Sequence, residues 1–322
     1  MCKIISPKVS AALIADFEQL AERTHQQDGA APFSEQTFVE LRKAAQGADA
    51  SIQLFEARLG TEPVGFAALV REGELWVLEA AVTPAARNRG IGSALIRAAV
   101  EATGDEPLRA WVHGGSDEFS PAVQAATHLA NKLGLHPTRE LYKLGLALTE
   151  QVRAGVRAAA QNRPLPPGLT LSTYTPDQAE AWVQVNAQAF AHHPEQGRLT
   201  LDDLKVRTDS DWFRPEGFFL AQEGKGQLAG FHWTKIPTAQ GQHPEGEIYA
   251  LGISPTWQGR GLGKALTLAG MAYLAEATTQ EGTPLDRIVL YVDADNTTAV
   301  DLYRSLGFTP LTIDRQFAPT HP

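Results

Sequence analysis

Residues 247–264 read EIYALGISPTWQGRGLGK. An apolar, strand-like run ends near Pro255, and Gln258-Gly259-Arg260-Gly261-Leu262-Gly263 opens a helix-like segment, KALTLAGMAYLAEA. Glycine lacks a Cβ, so bare backbone can come close to a ligand. The free N–H groups of a helix start then face an anion, and the helix dipole favours negative charge. The stretch reads as a pyrophosphate cradle between a strand and a helix. A tight strand-to-helix turn with no ligand looks the same in isolation. Two wider patterns decide between them.

The first pattern is an internal repeat. Residues 79–97 read EAAVTPAARNRGIGSALIR, which places Arg87-Asn88-Arg89-Gly90-Ile91-Gly92 in the same strand–Pro–glycine–helix context. Gln258 follows Arg87 by 171 positions, and Gly307 follows Gly134 by 173. A spacing held over so long a stretch means two copies of one domain. The second pattern is the order of elements after each cradle: helix, strand, then a helix closing in Leu-Gly. Arg/Gln-x-x-Gly-x-Gly in that order resembles the acetyl-CoA-binding motif of the Gcn5-related N-acetyltransferases, across nearly the whole chain and twice. The resemblance implies an α/β fold of two tandem acetyltransferase-type lobes, each a mixed, mostly antiparallel sheet flanked by helices. Acetyl-CoA would be the co-substrate.

A chain of 322 residues can hold two domains with separate cores. Its 43% hydrophobic and 20% charged residues are ordinary for a globular protein. A net charge of −9 argues against nucleic acid or an acidic membrane as partner, since both need a basic face. A small cationic or neutral substrate and a monomeric chain are expected. The single cysteine, Cys2, excludes an internal disulfide and a thiolate metal cluster. No signal peptide and no apolar span of about twenty residues is recognisable, so a cytoplasmic location is expected.

Taken in order, the chain predicts a first lobe at 1–150, a linker at 151–167 and a second lobe at 168–322. Helical spacing of Leu13, Phe17 and Leu20 predicts a helix, and Ser34 caps another. Strands follow at SIQLFEARL, PVGFAALV and ELWVLEAAV, then a helix after the first glycine loop, a strand LRAWVHG and a helix from Pro121. Within the linker, residues 151–160 can form a short helix, and Asn162 to Gly168, NRPLPPG, is a stiff connection. The second lobe repeats the plan, with Thr200 and Asp203 marking a helix start. Phe231 and Trp233 are expected in the core. The run His192-His193-Pro194-Glu195 has no further ligand set at metal spacing, so it reads as a polar turn and no metal is expected.

Aligned on their glycines, the copies differ where chemistry would sit. Glu247, Tyr303 and Asn296 of the second copy match Trp76, Ala130 and Val123 of the first. The second lobe is therefore expected to be catalytic and the first degenerate. Forming an amide from acetyl-CoA needs an acceptor for the amine proton and a donor for the departing thiolate. Glu247 can accept that proton, directly or through water, and Tyr303 can protonate sulfur. Backbone N–H groups from Leu251 to Ile253 can hydrogen-bond the acetyl carbonyl. A strand-end Glu also suits a solvated face, and Tyr303 also suits helix packing.

Four runs are more specific than the fold motif: AFAHHPEQG (189–197), GFHWTK (230–235), the second cradle, and LYVDADNTTAVDLYRSLGF (290–308). Together they resemble the mycothiol synthase family, a fused pair of acetyltransferase lobes. That resemblance implies acetylation of the cysteinyl amine of cysteinyl-glucosaminyl-inositol, a small thiol-sugar, with Glu247 as general base and Tyr303 as general acid. It carries CoA contacts onto Leu251, Gly252, Ile253, Gln258, Gly259, Arg260, Gly261, Leu262, Gly263 and Lys264. A further set is Asn296, Thr297, Thr298, Ala299, Val300 and Asp301. In the first lobe the contacts fall on Ala80, Ala81 and Val82 and on Asn88, Arg89, Gly90, Ile91, Gly92 and Ser93. Substrate contacts fall on Glu35, Glu195, Lys235, Glu247 and Tyr291. The rival readings are an acetyltransferase for an aminoglycoside or a peptide N-terminus, and a non-catalytic acyl-CoA sensor.

Overall fold

The computed structural model describes residues 2–47, 51–114, 121–191, 196–224, 226–238 and 243–319, apart from the side chains at 35 and 122. The chain divides into two compact units. One comprises Met1–Lys143, Asp293–Thr297 and Pro310–Pro322, the other Leu144–Val292 and Thr298–Thr309.

The first unit begins with β1 (Cys2–Ile5), α1 (Ala11–Asp28) and α2 (Glu35–Ala45). The Ser10 and Ser34 side chains cap the two helices, accepting from the N–H groups of Leu13 and Thr37. This satisfies donors that a helix start otherwise leaves without partners. Next come β2 (Ile52–Leu59), β3 (Glu62–Glu72), β4 (Leu75–Val82), α3 (Ile91–Thr103), β5 (Leu108–Val112), α4 (Pro121–Lys132) and β6 (Leu135–Ala147), whose last residues belong to the second unit. Strands β1 to β4 pair antiparallel in sequence order, and β5 joins β4 in parallel. The two-residue period of β3 sends Phe66 and Ala68 into a core with α1 and α2. Ala67 and Leu69 enter another core with α3.

The second unit contains α5 (Glu150–Gln161), β7 (Leu169–Thr173), α6 (Ala179–Ala189), α7 (Leu201–Thr208), β8 (Phe218–Glu223), β9 (Leu228–Lys235), β10 (Glu245–Ile253), α8 (Leu262–Glu276), β11 (Arg287–Asp293) and α9 (Thr297–Ser305), except that Asp293 and Thr297 belong to the first unit. Strands β7 to β10 pair antiparallel, and β11 joins β10 in parallel. Phe231 and Trp233 are fully buried, as expected. Trp233 stacks on Phe218 with centroids 4.2 Å apart and meets Trp182 edge-on at 5.5 Å. Such rings supply large apolar area and a fixed geometry. Thr200 and Asp203 form the expected capping box at α7.

The units differ from the contiguous division 1–150, 151–167 and 168–322, first in that Asp293–Thr297 belongs to the first unit. The last strand, β12 (Thr309–Pro319), pairs antiparallel with β5, placing Arg315 opposite Val112 and Phe317 opposite Ala110. From Pro310 onward the chain therefore completes the first unit. Within the expected linker, α5 is a built part of the second unit. Arg153 donates to the carbonyls of Ala275 and Leu285, and Arg157 pairs with Glu276 at 2.6 Å. An amphipathic helix that caps the end of α8 is held more firmly than a connection needs.

Candidate active site

In the second unit, β10 pairs with β11 only from Glu245–Arg287 to Ile248–Leu290, although both strands continue. Just there the β9–β10 register shifts between Ile248 and Ala250. An extra residue in one strand bends it and raises its twist. The bulge thus turns β10 away from β11 and leaves a wedge between them.

Backbone direction inside the wedge follows from one bond. The Ser254 N–H donates to the Ala229 carbonyl at 2.9 Å, on the β9 side. The two-residue period of a strand then aims the N–H groups of Ile253 and Leu251 at the side that β11 has left. A row of such donors can hold an extended amide-bearing chain, and can meet charge developing on a carbonyl oxygen.

Beyond the wedge, the Gln258 side chain donates to the Ile253 carbonyl at 3.2 Å, closing the turn. Gly259 and Gly261 adopt φ of +72° and +83°, a region that L side chains rarely enter. Gly261 caps α8, so the first N–H groups of that helix open onto the turn. A Cβ at Gly261 would lie 2.9 Å from Nη2 of Arg163, so this guanidinium packs directly against the glycine backbone. Arg163 was not among the expected site residues. It sits in the NRPLPPG connection, where nothing local relates it to the cradle. Arg260 lies over the Trp257 ring at 5.0 Å.

Glu247 stands at the base of the wedge, opposite Lys235 on β9 and Val289 on β11. Residues paired across a ladder share one face of the sheet, and Tyr291 shares the face of Val289 two positions earlier. Glu247, Lys235 and Tyr291 therefore lie on one face across three neighbouring strands. Glu247 is half-buried and Tyr291 exposed. The Lys235 ammonium lies 5.2 Å from the Trp212 ring centre and 5.5 Å from that of Tyr249. The Tyr249 hydroxyl accepts from Arg207 at 3.1 Å. Aromatic faces attract a cation and limit where it can go. Trp212, Tyr249 and Arg207 are missing from the expectation because their relation to Lys235 exists only in three dimensions.

Tyr303 lies on α9, 6% exposed, with its ring 5.7 Å from that of Phe308. Burial pushes its phenol pKa well above the ordinary value, so the group stays protonated and able to donate. Asn296 and Thr297 precede and open α9 and are exposed, while Val300 is buried. Glu195 lies outside the described residues, together with His192 and His193. The segment that follows is fixed by Asn186, fully buried, whose Nδ2 donates to the Gln196 carbonyl at 2.6 Å.

The first unit repeats part of this design. The Thr83 N–H donates to Val64 at 2.9 Å, and the Trp76 N–H to Pro107 at 2.8 Å. By the same period, Ala80 and Val82 aim their N–H groups toward the β5 side, beyond the last β4–β5 pair, Leu78–Ala110. Arg87, the counterpart of Gln258, donates to the Val82 carbonyl at 3.0 Å. Its guanidinium is bound by Asp28 through two bonds of 2.8 and 2.6 Å. Asn88 has φ of +59° and Gly90 +77°. However, β4 pairs with β3 without interruption from Gly65–Val82 to Glu72–Leu75, so the bulge is absent. Glu35 is the first residue of α2.

The acetyltransferase (GNAT) family model matches this chain twice, at residues 14–135 and 182–308. The chain belongs to that family. It is 44% identical to a mycothiol acetyltransferase of Rothia mucilaginosa, covering 97% of this chain and 91% of the relative. It is 40% identical to a mycothiol acetyltransferase of an Arthrobacter species, covering 98% and 95%. Among solved structures, a tandem GNAT protein from the clavulanic acid biosynthesis pathway has the same fold, with a TM-score of 0.69, 19% identity and coverage of 99% and 98%. A Gcn5-related N-acetyltransferase of Sphaerobacter thermophilus gives a TM-score of 0.69 at 20% identity, covering 98% and 95%. The expected α/β fold with two tandem acetyltransferase lobes is thus the fold observed. Among the described residues no helix is long and apolar enough to cross a membrane.

Proposed function

We propose that this acetyltransferase moves the acetyl group of acetyl-CoA onto the cysteinyl amine of cysteinyl-glucosaminyl-inositol, giving mycothiol. The observation that carries the reading is similarity to mycothiol acetyltransferases over nearly the full length of both chains. Chemistry is assigned to the second unit. The pantetheine arm lies along the open side of β10, with Leu251 and Ile253 N–H groups meeting it, and the diphosphate rests on the Gln258–Lys264 turn. The fit is supported by two positive-φ glycines, the helix start and the Arg163 guanidinium beside Gly261.

The amine nitrogen attacks the thioester carbonyl carbon, forming the C–N bond. Glu247 takes the amine proton, and the C–S bond breaks as the oxyanion collapses. Tyr303 gives its phenolic proton to the leaving sulfur and recovers one from solvent. Lys235, Tyr291, Glu195 and Glu35 hold the hydroxyls and ammonium of the substrate. Burial keeps the Tyr303 phenol in its protonated form, the form a donor needs, while making it a weaker acid than an exposed tyrosine. The first unit binds CoA without transferring its acetyl group, a reading supported by Trp76 at the base position and by the missing bulge.

The test supplies acetyl-CoA with cysteinyl-glucosaminyl-inositol, an aminoglycoside or a short peptide, and detects N-acetyl product by mass spectrometry. The account expects product with the first amine and far less with the others. Acetyl-CoA binding without turnover of that amine would overturn the substrate assignment.

A further inference from the structure

Behind the second cradle lies a histidine that the chemistry above leaves unused. His232 on β9 is fully buried, and its Nδ1 lies 2.7 Å from the Leu266 carbonyl of α8. A carbonyl can only accept, so Nδ1 carries the proton and donates. Burial holds the ring pKa down at about 4, which keeps the ring neutral and makes Nε2 an acceptor. Among the described residues Nε2, also buried, has no hydrogen-bond partner. The helix makes room for this ring at one residue. A Cβ at Gly270 would stand 2.2 Å from Cε1 of His232 and 2.5 Å from Nδ1, closer than atoms can approach. Glycine inside a helix is destabilising, and so is a buried acceptor left unpaired.

The first unit fills the same place without either cost. Ala67 pairs with Ala80 across β3–β4 as His232 pairs with Leu251 across β9–β10, and Leu251 follows Ala80 by 171 positions. Gly270 follows Ala99 by the same 171. Ala67 and Ala99 are fully buried, in the core that α3 forms with the sheet. Two alanines suffice to pack this layer, so packing alone does not call for the histidine.

What the ring adds is a directed bond. His232 stands opposite Leu251, beyond the bulge, where the Leu251 N–H faces the wedge. Its ring holds the Leu266 carbonyl, one turn into α8 from Leu262. Both the strand donors and the helix start are thereby referred to one residue. Apolar contacts tolerate sliding of a helix along a sheet, whereas a hydrogen bond fixes its axial position. CoA joins its thioester to its diphosphate through one covalent arm, so the separation of the two binding elements matters.

We propose that His232, in the space left by Gly270, is a positioning residue for acetyl-CoA, setting the start of α8 against the Leu251 and Ile253 donors. This rests on the reading that CoA spans β10 and the Gln258–Lys264 turn. The ring itself need not touch CoA.

The experiment is steady-state kinetics of His232→Leu and His232→Asn, with inhibition by the two halves of the ligand, pantetheine and 3′-phospho-ADP. Leucine and asparagine share a shape, but the asparagine amide nitrogen takes the place of Nδ1 and can donate to Leu266. His232→Leu should lower kcat/KM for acetyl-CoA about tenfold, the effect of losing one hydrogen bond, and leave the amine KM unchanged. Each half should inhibit as strongly as in the wild type, because it needs one binding element alone and only the linked molecule feels their misplacement. His232→Asn should behave as the wild type. A folded His232→Leu protein with unchanged kcat/KM overturns the proposal. So does an equal weakening of 3′-phospho-ADP, which would mean a damaged cradle. If His232→Leu does not fold, the double variant His232→Ala with Gly270→Ala, which copies the first unit, carries the same expectations. Should 3′-phospho-ADP fail to compete with acetyl-CoA in the wild type, the cradle reading fails and takes this inference with it. The assignment of the amine would survive that result.

Discussion

Lys235 and Glu247 face each other across the β9–β10 ladder, next to the bulge that parts β10 from β11. The pairing puts a cation and a carboxylate on one sheet face at the base of the wedge. Trp212 and Tyr249 meet the lysine ammonium at 5.2 and 5.5 Å and so set its position. Lys235→Met is expected to raise KM for the amine about tenfold, the effect of losing a charged hydrogen-bond donor. Trp212→Leu should raise it by a smaller factor while leaving KM for acetyl-CoA unchanged. Kinetics with each substrate varied in turn checks both.

Tyr303→Phe keeps the ring against Phe308 and removes only the hydroxyl. Loss of a general acid should lower kcat by about 10²-fold or more, with the melting temperature and acetyl-CoA affinity nearly unchanged. Burial raises the phenol pKa, so no alkaline limb of the rate profile below pH 10, the ordinary tyrosine value, should belong to Tyr303. Wild-type and Tyr303→Phe rate profiles between pH 6 and about 10 test this.

Arg163→Gln should raise KM for acetyl-CoA several-fold and leave the amine KM alone. The contribution is electrostatic and exposed, so the difference from wild type should shrink as salt rises toward about 1 M. Acetyl-CoA titrations at low and high ionic strength provide the measurement.

His113 predicts a pH dependence of stability. Burial alone would lower its pKa, but hydrogen bonds to Asp314 and Glu79, with their charges, raise it from 6.5 to about 10. The folded value lies above the unfolded one, so the stabilisation is complete below pH 6.5. It declines as pH rises and is lost through about 10. Glu79 runs the other way. Burial raises its pKa, but His113, Thr37 and Ser34 outweigh that and leave it below 4.5, so its contribution is present above that pH and fades in acid. Melting of wild type between pH 6 and about 10 should show a fall that His113→Gln lacks. Parallel slopes in the two proteins would contradict the charged cluster.

Much of this was legible in the sequence, and the exceptions have physical reasons. Glycine loops and the 171-residue spacing disclose the repeat, because positive φ recurs at Asn88 and Gly90 and at Gly259 and Gly261, where glycine or asparagine is favoured. Local rules also sufficed for Ser34 and Thr200, whose caps are made within three residues. The partner of β12 was not legible, since an alternating strand pattern does not say which edge it will join. The bulge at Ile248–Ala250 carries no glycine or proline to mark it. Arg163 resembles any linker arginine, and although 151–160 reads as a short helix, nothing local says that α5 packs on α8. Glu79 was visible as a charge inside an apolar strand, but its partners lie at 34, 37 and 113.

The most direct measurement compares wild type with Glu247→Gln for N-acetyl product from acetyl-CoA and cysteinyl-glucosaminyl-inositol, with acetyl-CoA affinity measured in parallel. The account predicts amine-dependent product in the wild type. In the variant it predicts a rate about 10²-fold lower or less, with acetyl-CoA binding intact. A Glu247→Gln protein that acetylates this amine at the wild-type rate would contradict base catalysis by Glu247.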